Sequence, residues 1–217
     1  MSTRHRIFPA KPHRSGFTLT EIAIVLGVIG GIVGGLFALI APLQSKIKLN
    51  QAVDELSVIS NNVRSYYSGR AVPSPAACPA AGPAFAAATE TQYVSSGIFP
   101  SEMLFKSGAN TYVNNSWNPA STTSTVQVDL CGSRPVLFVI RYKNLTQQAC
   151  LTVVPQTSGL ASGMNLQKIV VTNGTTPYPF SGTIVLDPTD STLATACTPA
   201  AAGGTITSVD WYYKLNG

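Results

Sequence analysis

The chain has 217 residues, 45% of them hydrophobic and only 11% charged, with a formal net charge of +5. That is room for one domain plus a membrane segment rather than for two domains. Arg4, Arg6, Lys11 and Arg14 supply the basic excess within the first 16 residues, while the remainder holds ten Lys or Arg against nine Asp or Glu, which argues against the clustered basic surface of a nucleic-acid binder.

The first element is the stretch SGFTLTEIAIVLGVIGGIVGGLFALIAPL, residues 15–43. From Ile22 to Leu43 it carries 22 residues without a formal charge. At about 1.5 Å per residue a helix of that length spans the roughly 30 Å of bilayer hydrocarbon. A cleaved secretory signal has a shorter apolar core and an A-x-A-like site; LIAPL has neither feature. The basic leader stays cytoplasmic by the positive-inside rule and sends the bulk of the chain outward. A plain signal anchor explains that orientation, but it does not explain Gly16-Phe17 followed by Glu21. A carboxylate costs a few kcal/mol once carried into an apolar core without a partner. A cut after Gly16 creates a partner, because the new amine of Phe17 is a cation that Glu21 of a neighbouring copy neutralises. Charge pairing inside an apolar bundle then sets the register between copies. Gly27, Gly30, Gly31, Gly34, Gly35 and Pro42 weaken the helix or let helices approach closely. Within a filament, the segment from about Gly27 to Pro42 is the part expected to stretch or melt.

The helical pattern continues beyond the apolar run. Leu49, Val53, Leu56, Val63 and Tyr67 form one apolar stripe, with Lys46, Lys48, Asp54, Glu55, Asn61 and Arg64 mostly off it. Two heptads are too few to favour a coiled coil, so the stripe is assigned to a sheet. Ser68-Gly69, with Pro73 soon after, stops the helix near Tyr67. The complete helix has about 50 residues, or roughly 75 Å. Residues 68–97 read as a loop rich in Pro, Ala and Gly, with Cys78 tying it down. GIFPSEML, 97–104, reads as a short helix started by Ser101 with Glu102 in its first turn.

Strands follow. TSTVQVDL, 123–130, alternates; PVLFVIRY, 135–142, is apolar and β-branched and reads as a central strand. NLTQQACLTVV, 144–154, reads as a short helix capped by Asn144 or Thr146. QKIVVTNG, GTIVLD and VDWYYKL complete the strands, the last returning the chain to the sheet. The fold class is α+β, one long N-terminal helix against an antiparallel sheet.

Chemistry is sparse. Both histidines, His5 and His13, lie in the leader, so no Ser-His-Asp or Cys-His arrangement exists beyond it. There is no Gly-rich phosphate loop after a strand. Asp187 and Asp190 in LDPTD read as a turn rather than a calcium site. Cys78, Cys131, Cys150 and Cys197 contain no C-x-x-C pair, so zinc is disfavoured and two disulfides in an oxidising compartment are favoured. Four cysteines allow three connectivities. No catalytic residue, metal or cofactor is expected.

GFTLTE, preceded by a basic leader and followed by about twenty apolar residues, resembles the type III signal of type IV prepilins. The order NSWN, a strand, RPVLFVIRYKNLTQQACLTVV and a late cysteine in LATACTPAAAGGTITSVDWYY is similar to the type IVb pilins, most of all the PilS-type pilins of conjugative and enteric systems. The resemblance implies a pilin fold and division into a cleaved leader 1–16, a membrane and assembly half 17–43, an amphipathic half 44–67 and an extracellular domain 68–217. It implies cleavage by a membrane prepilin peptidase between Gly16 and Phe17, N-methylation of Phe17, and Glu21 as the assembly carboxylate. It implies the disulfide Cys150–Cys197, with Cys78–Cys131 as the pair then remaining. The implied partners are further copies of the chain in a helical polymer, the peptidase, the inner-membrane pilus assembly machinery, membrane lipid before assembly, and an unknown receptor. The implied product is an extracellular fibre for adhesion, conjugative contact or a related surface function, not an enzyme. A type II secretion pseudopilin, some of which bind calcium through a C-terminal loop, and a minor or tip pilin acting as a binding module share the signal. The 16-residue leader and Phe17 depart toward type IVa, while the 201 residues left after the leader and the cysteine layout favour type IVb.

Overall fold

The computed structural model describes residues 18–72, 87–132, 136–159, 161–181, 190–199, 201 and 203–215. The expected leader, the strand GTIVLD, Asp187 and Cys78 lie outside them. The chain divides into two compact units, residues 1–44 and 45–217. Helix α1, Leu19–Tyr67, contributes to both. It passes Pro42 without a break and ends where the sequence stops it, with Gly69 in the left-handed region at φ 78°. Glycine occupies that conformation at no steric cost, which suits a residue just past a helix end.

The second unit is built on a five-stranded antiparallel sheet in the order β3-β4-β7-β5-β6, with β3 Val126–Cys131, β4 Leu137–Leu145, β5 Leu166–Asn173, β6 Thr176–Ser181 and β7 Ile206–Lys214. A separate hairpin joins β1, Leu104–Ser107, to β2, Asn110–Val113, through Gly108 at φ 61°. Helices α2 (Ala87–Ser95), α3 (Gln147–Gly159), α4 (Ala161–Met164) and α5 (Ser191–Ala196) complete the unit.

The strands alternate as half-buried sheets do. Phe138, Ile140 and Tyr142 of β4 stand beside Tyr213, Trp211 and Val209 of β7, and all six join the main core. Phe138 stacks on Tyr213 at 5.1 Å, and Tyr142 meets Trp211 edge to face at 5.3 Å. Trp211 is fully buried, and its indole Nε1 donates to Thr157 Oγ1 of α3 at 2.8 Å. The opposite parity places Arg141 beside Asp210, joined by a 2.7 Å ion pair between side chains 12% and 0% exposed.

The central strand expected at PVLFVIRY is β4, paired with β3 on one side and β7 on the other. Several other expectations change. Part of the expected loop is helix α2. The turn at Ser101–Met103 is a single 3-10 turn without a side-chain cap, because Pro100 holds the cap position and has no polar side chain; Ser101 lies inside the turn and its Oγ donates to Glu102 Oε2. Thr146, not Asn144, caps α3: its Oγ1 accepts from Ala149 N at 3.2 Å, while Asn144 takes φ 57° within β4. Helix α3 also runs past Pro155 to Gly159. Strand β6 carries Pro177 and Pro179 and lies at the sheet edge, where a missing N–H is tolerated.

The buried line on α1 is Ala52, Leu56, Ile59 and Val63, each 0% exposed. Leu49, Tyr66 and Tyr67 pack at its margin. The expected stripe therefore has the right face with a slightly turned centre: Ala52 and Ile59 join the buried line, while Val53 is only half-buried. Replacing Leu56 with Ala should destabilise the chain by about 2–5 kcal/mol, the range for a buried large-to-small change. Chemical denaturation of the detergent-solubilised chain followed by tryptophan fluorescence measures this, whereas Val58→Ala, at a 43% exposed position, should change little.

Candidate functional site

Two regions concentrate unusual features. The first is the start of α1. Thr18 precedes the helix and Glu21 lies in its first turn. The amide and hydroxyl of Thr18 both donate to Glu21 Oε2 at 3.2 Å, and Glu21 N donates to Thr18 Oγ1 at 3.3 Å. This reciprocal arrangement is a capping box. The T-x-x-E spacing in TLTE signals it, and the sequence reading missed it. Gly16 and Phe17 lie outside the described residues, so the expected relation of Glu21 to a Phe17 amine does too.

Behind Glu21, Leu19–Phe37 is long and apolar enough to cross a membrane by length and composition, and none of it is buried. Leu19, Ile24, Leu26, Ile32 and Phe37 are 87%, 65%, 64%, 59% and 68% exposed. A Cβ added at Gly27, Gly30, Gly31, Gly34 or Gly35 would meet nothing within 4 Å. Nothing among the described residues therefore requires glycine at these five positions.

The second region is a groove of about 370 Å³ in the globular unit. Lys48, Gln51, Asp54, Glu55 and Val58 of α1 form one wall; Pro100, Glu102 and the segment Asn114–Pro119 form the other. Asparagine side chains pin that segment. Asn115 Oδ1 accepts from the amides of Trp117 and Asn118 at 3.1 and 3.0 Å, and Asn114 Nδ2 donates to Ser121 O at 2.8 Å. Asn115 N donates to Thr125 Oγ1 at 2.9 Å.

Glu55 lies in this groove, only 9% exposed. The sequence placed it off the apolar stripe. Ser116 Oγ donates to its Oε1 and the phenol of fully buried Tyr142 to its Oε2, both at 3.0 Å. Burial pushes its pKa up from 4.5 to about 7; the two hydroxyl donors pull down and the Glu102 and Asp54 charges push up. Burial likewise holds the Tyr142 phenol well above its ordinary range, and the adjacent Glu55 adds to the shift. Polarity had hidden Glu55, since only the fold reveals that a side chain one turn behind Ala52 faces Tyr142.

Among the cysteines, Cys150 of α3 and Cys197 at the end of α5 are joined, 47 residues apart. The expected Cys78–Cys131 pair falls on Cys78, outside the described residues; Cys131 is itself disulfide-bonded. Asp190 caps α5 by accepting from Thr192 N at 2.7 Å, so it serves a helix start rather than only a turn. No group of three or more His, Cys, Asp or Glu among the described residues is arranged to hold a metal ion.

No family model matches the chain, and no curated protein matches it. Among solved structures the chain is similar to the crystal structure of the type IVb pilin from Salmonella typhi, at 15% identity over 76% of this chain and 97% of that one, with a TM-score of 0.48.

A disulfide closing a loop of this size stabilises by about 4 kcal/mol in the chain-entropy model. The double substitution Cys150→Ser with Cys197→Ser should lower the unfolding free energy by roughly that amount. Urea titration of the two chains side by side checks this; a loss below about 1 kcal/mol would show that the bridge closes no costly loop.

Proposed function

We propose that the chain is a structural subunit of the type IV pilin class, nearest to type IVb, made as a membrane-anchored precursor and polymerised into an extracellular fibre. The observation that carries this reading is the all-round exposure of the apolar helix Leu19–Phe37 behind the capped carboxylate of Glu21. A helix that is apolar on every face needs lipid or other helices around it. The unpacked glycines support the same reading, since close helix approach uses small residues and no described residue packs against them.

In this proposal the basic leader 1–16 stays in the cytoplasm, prepilin peptidase cuts between Gly16 and Phe17, and Phe17 is N-methylated. The half 17–43 rests in lipid and then enters the fibre core. There Glu21 faces the Phe17 amine of a neighbouring copy, with the inner-membrane assembly machinery driving the transfer. Residues 44–67 carry the extracellular domain 68–217, whose surface serves adhesion, conjugative contact or a related contact function. The subunit role requires no enzymatic activity.

Intact and N-terminal peptide mass spectrometry on protein sheared from cells tests the processing. The expected species begins at N-methylated Phe17; a membrane-confined chain still beginning at Met1 or Ser2 would overturn the proposal. A Glu21→Ala chain should be cut normally yet lose at least tenfold in sheared-fibre yield, because the fibre core then holds an unneutralised amine. Normal fibre yield from that variant would remove Glu21 from assembly.

A further inference from the structure

The groove beside α1 holds a feature that the fibre proposal does not use. Glu55 is a buried carboxyl at the meeting of three elements: its own helix, the asparagine-pinned segment through Ser116, and β4 through Tyr142. Its two direct partners are hydroxyls, neither of which carries a compensating charge. The charged groups lining the same groove are Asp54 and Lys48 on α1 and Glu102 on the 3-10 turn. From β4 it meets the neutral Tyr142 phenol, and the described residues of the pinned segment that line the groove, Asn114, Asn115, Ser116 and Pro119, carry no charge. Two like charges against one cation leave the groove's rim net negative.

We propose that Glu55 is a proton-dependent latch, closing segment 114–118 against α1 when neutral and loosening it when ionised. The neutral acid accepts from the Tyr142 phenol and donates its own proton to Ser116 Oγ, whose hydroxyl turns to accept it, so both bridges are kept at no charge-burial cost. Loss of the proton leaves a carboxylate that is poorly hydrated and repelled by Asp54 and Glu102. Water entry relieves both penalties, and water enters where the groove already opens, between α1 and the segment that Ser116 anchors.

The sign follows from linkage. The closed form holds its proton to about pH 7, whereas an open, hydrated carboxyl has the ordinary value of 4.5. Closure is therefore favoured in full below about pH 4.5 and weakens as pH rises to about 7, where it levels off. Between pH 5.5 and 8 the ratio of closed to open forms falls roughly twenty-fold on that separation. The latch lies wholly within the globular unit, so it stands or falls independently of fibre assembly.

Amide hydrogen exchange on the full chain in detergent micelles, each rate divided by its intrinsic rate at that pH, tests the latch. The reporters are the amides of Asn115, Trp117 and Asn118, with those of Val170 and Trp211 as references in the sheet. Their protection should fall roughly twenty-fold between pH 5.5 and 8, while the references stay level. Glu55→Gln should abolish the fall. Flat reporters in the native chain, an equal fall in the references, or a persisting fall in Glu55→Gln would each overturn the latch. Should that variant not fold, Glu102→Gln at an exposed position provides the second reading: the midpoint of the fall should move to lower pH, and an unmoved midpoint counts against the proposal.

Discussion

The constraint on which the rest depends is that one helix meets two environments. Its first part, Leu19–Phe37, is apolar on every face and unburied among the described residues. Its second part buries a narrow apolar line, Ala52, Leu56, Ile59 and Val63, flanked by the buried polar Glu55 and Ser60. The change is written as a change of composition, from 22 uncharged residues to a run with Lys46, Lys48, Asp54 and Glu55. Propensity alone does not hold such a helix in water, since helix stability in proteins comes mostly from packing an apolar face. The two parts therefore draw stability from different sources: lipid or neighbouring copies for the first, and the chain's own sheet for the second.

Glu21 sits at the start of the first part, and magnitudes separate its two roles. The capping box with Thr18 contributes about 1 kcal/mol to the helix start. That is enough to explain an acid that rests among headgroups or water. An unpaired carboxylate carried into an apolar interior costs a few kcal/mol, more than the cap returns. In the proposed fibre the cap thus holds the carboxylate at the helix start, and a cation from another copy supplies the remaining compensation.

How much was legible depends on whether the signal was local. The end of α1 was, because Ser68-Gly69 encodes a left-handed stop in two residues. Strands β3, β4, β5 and β7 were, because alternation and β-branched runs are themselves local patterns. Strand β6 was hidden because Pro177 and Pro179 read as loop, and only an edge position makes them acceptable. The β1–β2 hairpin, four residues to a strand, is too short to show a period. Helix α2 was masked by the Pro- and Ala-rich stretch before it. At the candidate sites, the Glu21 motif is contiguous and could be read, whereas Glu55 depends on Ser116 and Tyr142, separated from it by 61 and 87 residues. A partner that distant leaves no trace in a helical pattern.

The position of β7 shapes how such a sheet closes. β7 lies between β4 and β5, so until it arrives those two strands are unpaired edges on either side of a gap. It also carries Trp211, which reaches Thr157 on α3, and Tyr213, which stacks on Phe138. Contacts of this sequence separation form late, because loop closure must be met before pairing rewards it. The Cys150–Cys197 bridge joins α3, just after β4, to the end of α5, just before β7. It encloses β5 and β6 within the loop and leaves only a short connection from Cys197 to Ile206. The bridge thereby shortens the search of β7 for its slot, and β7, once paired, removes the open edges of β4 and β5.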